Sequence, residues 1–215
     1  MKTLTTLIFA ADLFLGVISQ SHCQTAAPEP IRMQTVPLTT VIEVLAQRME
    51  TNYILDAKIL SNADGTTSEP VLTFLWTNLT FSEALSRLLK EQGLKIVQEA
   101  ATPIAFIVRT NETINHVDAS LLGNGVETNV PIVLQDVPLD KALHTFIRLA
   151  KVDVALDSKI SSYVDAKGQT NLAPDVSVRW QNVTAKQAIV ALCEAYDLVI
   201  RKDPATGTIS IKPKD

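Results

Sequence analysis

The chain has 215 residues, of which 47% are hydrophobic and 20% charged, with a formal net charge of -4, a profile that suits one large globular domain or two small ones. An acidic balance with no basic run argues against nucleic acid, whose phosphates want a basic face. Seven glycines and 5% aromatics leave little material for phosphate-cradling loops or for ladders of stacking platforms.

In chain order, the first segment reads as an export signal. Lys2 gives a positive start, residues 4–18 form a largely apolar stretch that Asp12 interrupts, and Ser19, Ser21 and Cys23 supply the small residues that a signal peptidase needs. The expected signal peptide is residues 1–23, with cuts after Ser19 or Ser21 as alternatives and a buried N-terminal helix as the competing reading. Lipid attachment at Cys23 is disfavoured, because Gln20 and His22 are poor residues before such a cysteine. The apolar run is too short and too interrupted for a transmembrane span. Once Cys23 leaves, Cys193 stands alone, so no internal disulfide is expected and the fold rests on its apolar core.

Residues 24–30 form a linker to a first module at residues 31–109. A short strand at 31–34 leads through Val36-Pro37-Leu38 into a helix whose apolar positions, Leu38, Val41, Ile42, Leu45 and Met49, share one face. Pro37 sits at the helix start, where a missing N–H costs nothing. Strands follow at 53–55 and, past a polar loop, at 71–76. Thr80 with Glu83 makes a capping box for a second helix with Ala84, Leu85, Leu88 and Leu89 on its buried face, ended by Gly93. A hairpin of 94–97 with 104–109 closes the module. Residues 110–129 read as a linker with Gly123-Asn124-Gly125 as its joint, and Leu121 and Leu122 as residues able to pack on a module.

From residue 130 the pattern repeats. Val36-Pro37-Leu38 and Leu55-Asp56-Ala57-Lys58-Ile59 recur 101 residues on, as Val137-Pro138-Leu139 and Leu156-Asp157-Ser158-Lys159-Ile160. After three inserted residues, Trp76-Thr77-Asn78-Leu79-Thr80 recurs 104 residues on as Trp180-Gln181-Asn182-Val183-Thr184. The second module, residues 130–213, therefore has a strand at 130–135, a helix facing inward with Leu139, Ala142, Leu143, Phe146 and Ala150, and strands at 154–156 and 176–180. A Thr184–Gln187 capping box then opens a helix on Ala188, Ile189, Leu192 and Cys193, with Asp197 in the place of Gly93. The closing hairpin is 198–202 with 208–212, turned at 203–207. The expected fold class is α+β: two tandem β-α-β-β-α-β-β modules, each with two helices packed on small sheets.

These residues resemble a known family. Val-Pro-Leu-x-x-Ala-Leu before an apolar helix, then Leu-Asp-x-x-Ile, then Asn-Val-Thr-x-x-x-Ala-Ile-x-x-Leu and a two-strand hairpin, is similar to the secretin and TonB short N-terminal (STN) domain. Residues 137–211 carry the pattern best and residues 36–108 are a fainter copy. The resemblance implies a periplasmic, non-catalytic protein-docking element, as at the front of secretin subunits and outer-membrane receptors. It implies a protein partner, such as an outer-membrane secretin or receptor, in a secretion or transport complex. No pore or receptor barrel follows before Asp215, so the chain is not expected to be the channel itself.

A search for chemistry yields no catalytic, cofactor-binding or metal-ligating residue, and no cofactor is assigned. His22 falls in the signal, His116 in the linker and His144 on an expected exposed helix face, with no ligand spacing among them. Cys193 occupies the place of Leu89, which makes it a buried apolar thiol. Asp56 and Asp157 are read as caps of the next turn rather than paired carboxylates, and both tryptophans as packing residues. Asn78, Asn111 and Asn182 fit the glycosylation pattern, but two of them belong to the repeated turn and are taken as structural. An enzyme is therefore not expected. The alternative to docking is a small-ligand or cell-wall glycan binder that uses a concave, polar cleft between the modules.

Overall fold

Each module must cover the apolar faces of two short helices, and the chain does so with strands from both sides. The computed structural model describes residues 30–59, 69–98, 102–114, 116–123, 129–164 and 170–214. The expected signal peptide, residues 1–23, lies outside the described residues.

The first module runs β1 (Ile31–Pro37), α1 (Leu38–Arg48), β2 (Asn52–Leu55), β3 (Val71–Trp76), α2 (Phe81–Glu91), β4 (Leu94–Gln98) and β5 (Ile104–Arg109). β1 and β3 form an antiparallel pair, and β2-β5-β4 a three-stranded sheet with β2 parallel to β5. The second module repeats this order with β6 (Asn129–Pro138), α3 (Leu139–Ala150), β7 (Val154–Leu156), β10 (Asp175–Thr184), α4 (Ala185–Ala195), β11 (Leu198–Lys202) and β12 (Ile209–Pro213). It pairs β6 with β10, and its three-stranded sheet is β7-β12-β11. The expected α+β fold in two modules is what forms. One element exceeds the expectation: a hairpin, β8 (Ser162–Val164) with β9 (Thr170–Leu172), stands where a longer polar loop was read. Three-residue strands carry almost no periodic signal.

The duplication reaches the backbone. Thr35, Glu50, Asn78 and Gly93 all have positive φ, and so do their counterparts Asp136, Lys151, Asn182 and Asp197. The left-handed backbone at Thr35 and Asp136 sits in matching bulges, where each amide donates to a hydroxyl on the facing strand, Thr73 Oγ1 and Ser177 Oγ. Both expected capping boxes form, Thr80 with Glu83 and Thr184 with Gln187. Asp56 and Asp157 each accept from the amide two residues on, Lys58 and Lys159, and so cap a turn of 3-10 helix as expected.

The modules are not separate beads. In β5 the run Ile104, Ala105, Phe106, Ile107 and Val108 is buried without a break, so this strand is covered on both faces. Ile107 joins the core of its own module with Leu45, Leu85 and Leu88. Ile54, Ile104, Phe106 and Val108 point the other way, into the core of the second module with Trp180, Ile189 and Val190. Each such side chain contributes about 1.5–3 kcal/mol on burial. The linker joins the same core, with Leu122 buried in it as anticipated.

Comparing the repeats face by face explains why the contact forms once. On β12 and β11 the places of Phe106, Val108 and Val97 are held by Ser210, Lys212 and Arg201. On α4, Val190, Ala191 and Ala195 are buried beneath the first module, whereas their counterparts on α2, Ser86, Arg87 and Glu91, face solvent. Apolar sheet meets apolar helix at the joint; polar sheet and polar helix remain outside.

A shared core predicts cooperative unfolding. Phe106→Ala should lower stability by about 3–5 kcal/mol and shift a single urea transition that reports both modules. Two resolved transitions, with only the first displaced, would show that the modules fold independently.

Candidate functional site

The joint is fixed by polar contacts at its rim. Trp180 donates its indole N–H to the carbonyl of Tyr53 at 2.7 Å. Asn52, one residue earlier on β2, reaches across the joint twice: its Oδ1 accepts from the Gln181 amide at 2.7 Å and its Nδ2 donates to the Gln181 carbonyl at 2.8 Å. These bonds hold the edge of β2 against the bulge of β10, where Asn182 has positive φ. On the far side, Lys58 pairs with Asp197, and the buried Glu194 accepts from the linker amide of Val117 at 3.1 Å. In the first module Trp76, the counterpart of Trp180, lies instead beneath the Arg87 guanidinium at 5.4 Å and stacks on Phe74 at 3.9 Å. Both tryptophans are packing residues, as read from the sequence; the use of Trp180 as a bolt between modules was not.

Past that bolt, β2 and β10 line an open cleft of about 450 Å³ at the joint, a size within the range of binding sites. Its walls come from α1, β2, β6 and β10, so neither module forms it alone. Among the described residues five carboxylates line it, those of Glu43, Asp56, Glu69, Asp136 and Asp175, against one guanidinium, Arg179. Glu69 accepts from the Thr39 amide at 2.6 Å, Asp136 from the Ser177 hydroxyl at 3.1 Å and Asp56 from the Lys58 amide at 2.8 Å. Three of the five thus hold backbone or hydroxyl groups in place; Glu43 and Asp175 are exposed at the mouth.

Burial sets the titration here. Asp56 is pushed above the usual carboxylate range by desolvation first, and by Glu112 and Asp197, against the opposing pull of the Lys58 amide and ammonium. Tyr196, whose hydroxyl donates to the Asp175 carbonyl at 3.1 Å, is pushed up to about 12 by burial and by Asp175 and Asp56. Burial likewise pushes up the Tyr53 hydroxyl. Both phenols stay protonated at neutral pH and act as apolar walls with a donor tip.

The other singled-out residues lie elsewhere. Cys193 is fully buried in α4, its thiol pushed up by burial and Glu194, which makes it inert toward nucleophilic chemistry. His116 and His144 are exposed and outside the cleft. No group of three or more His, Cys, Asp or Glu among the described residues is placed to hold a metal ion. No helix among them is long and apolar enough to cross a membrane. Sequence reasoning raised a polar cleft between the modules as an alternative but named none of its residues, because the carboxylates sit on α1, on the segments after β2 and before β3, and on β6 and β10. The available signal was the unbroken apolar run of β5, which already called for a second covering layer.

No family model and no curated protein matches the chain. Among solved structures, a cysteine-substituted dimer of the N-terminal domain of the secretin XcpQ from Pseudomonas aeruginosa aligns over 78% of this chain and 98% of that one. The identity is 10% and the TM-score 0.29, and an overlap at that score does not establish a common fold.

A pH prediction follows from Asp56. A folded-state pKa raised by burial favours the protonated form, so its contribution is intact in acid and is lost as pH rises through the raised value. Asp56→Asn keeps a capping oxygen without the charge, so its stability relative to the parent should increase between pH 4 and pH 7. Urea titrations at both pH values read this directly; an unchanged gap would mean that the carboxylate is solvated.

Proposed function

We propose that this chain is a non-enzymatic interaction protein of the periplasm, in which two STN-like modules hold a docking cleft open for a partner polypeptide, as an accessory to an outer-membrane secretion or transport complex. The single observation that carries the docking reading is the cleft at the joint, built by both modules beside a strand edge. The repeated Val-Pro-Leu and Asn-Val-Thr motifs support the module type, and the apolar segment at residues 4–18 supports export. Catalysis finds no support in the cleft: Asp56, Glu69 and Asp136 are committed to amides and a hydroxyl.

A second reading has an observation in its favour. The cleft is concave and partly polar, which suits a small-ligand or glycan binder using the same joint. The two readings separate by what the cleft captures in an envelope fraction. A photo-crosslinking residue at Val133, which is exposed on the cleft wall, is compared with one at Leu149, exposed outside it. The expected result is one protein adduct from Val133, absent from Leu149 and suppressed by excess unlabelled chain, with mass spectrometry naming an outer-membrane component. No protein adduct from Val133, together with saturable binding of peptidoglycan fragments, replaces docking with the second reading.

A further inference from the structure

The backbone at the cleft specifies more than a cavity. β2 is an edge strand of its sheet, bonded on one side to β5. The Asp56 amide donates to the Ile107 carbonyl at 3.0 Å, which fixes the parity of the parallel ladder: Asn52, Ile54 and Asp56 address β5. Tyr53 and Leu55 therefore turn their N–H and C=O groups away from it. The Tyr53 carbonyl is taken by Trp180 at 2.7 Å. Leu55 lies two residues further along, beyond the bolt, and lines the cleft opposite Val178 and Arg179 of β10. Its peptide groups are those an added strand would meet first.

The walls state the charge of the occupant. Glu43, Asp136 and Asp175 are exposed carboxylates of the lining, Asp56 and Glu69 are half-buried, and Arg179 is the one cation among the described lining residues. Lining apolar atoms come from Ile54, Leu134 and Val178. An extended polypeptide alternates its side chains between two sides, so one row can meet these apolar atoms while the other meets the carboxylates.

We propose that the cleft takes an extended segment of a partner protein bearing lysine or arginine at alternate positions, which adds as a strand to the β2 edge at Leu55. This rests on the reading of the joint as a docking site. The strand register gives specificity for an extended backbone, and the carboxylates give the preference for basic side chains and a fast, salt-dependent association.

The test uses the full chain, isotope-labelled, and an alternating lysine–threonine decapeptide as probe. Saturable binding is expected, with exchange of the Leu55 amide slowed about tenfold or more in the complex. The same peptide methylated on alternate backbone nitrogens should bind at least about tenfold more weakly, having lost its ladder bonds. Glu43→Gln with Asp175→Asn, both at exposed positions, should weaken the parent peptide about fivefold at low salt and leave the fold intact by circular dichroism. Spermidine, or a glutamate–threonine decapeptide, binding as well as the probe would overturn the proposal, and so would an unprotected Leu55 amide. Self-association of the chain that protects Leu55 without peptide would make a second copy the occupant and also overturn it. Failure of these measurements while the Val133 adduct persists removes strand addition and leaves the docking reading; loss of the adduct removes both.

Discussion

The structure depends on one strand having two faces to bury. A β-strand in a two-layer module normally shows one side to the core and the other to water. β5 cannot, because Ile104, Phe106 and Val108 on its outer side are as apolar as Ile107 on its inner side. Left exposed, they would make a patch of the kind that drives association. The second module removes that patch by laying α4 and β10 across it. The polar contacts at the rim are secondary in energy: an exposed pair such as Lys58–Asp197 is worth about 0–1 kcal/mol, less than any one of the buried side chains. What the rim supplies is register. Trp180 against Tyr53 favours one sliding position, since a shift leaves the buried indole N–H unmet, and the two exposed bonds between Asn52 and Gln181 fit the same register.

The two modules have diverged in complementary directions. The first kept an amphipathic α2, with Arg87 drawn over Trp76 and ion-paired to Glu91 at 2.8 Å, and acquired an apolar outer sheet. The second has a polar outer sheet and an α4 buried on nearly all sides. An α4 with Ala191 where α2 has Arg87 is flat enough for a neighbouring sheet to lie on it, and the indole edge of Trp180 is thereby open to a backbone carbonyl. The same scaffold residue is thus closed by a guanidinium in one copy and by a whole module in the other.

Much of this fold was legible in the sequence because it is written in local chemistry. Capping boxes, helix-start prolines and the offsets of 101 and 104 residues are short-range signals, and the helices begin where Pro37, Thr80, Pro138 and Thr184 placed them. The joint was less legible, because it is encoded in differences between copies rather than in their likeness. Reading Phe106 against Ser210, Val108 against Lys212 and Ala191 against Arg87 position by position marks which faces meet. A search for likeness passes over those positions. A polar cleft between the modules could be named as an alternative, but its lining could not: Glu43, Asp136 and Asp175 are ordinary surface carboxylates until the tertiary fold brings them together. The β8–β9 hairpin escaped for another reason: a three-residue strand spans barely one alternation of a two-residue period, and β7, equally short, was legible only through its match to β2.

The geometry of the joint also accounts for where an accessible strand edge can survive. Unpaired edges are a hazard, and proteins blunt them with charge, bulges or a covering element. In this chain the edge of β2 is covered by β10 at Asn52 and Tyr53, and from Leu55, among the described residues, it lines a cleft whose walls are acidic. Carboxylates at the mouth repel the acidic surface of another copy of a chain with net charge -4. They do not repel a basic segment. A recessed edge with charged walls is therefore filtered twice, by width against folded surfaces and by sign against its own kind. The width filter does not exist in a single module, because β2 forms one wall and β6 and β10 of the other copy form the facing one. The charge is shared: Glu43, Asp56 and Glu69 stand on the side of β2, and fusion of the two cores sets Asp136 and Asp175 across the gap from them.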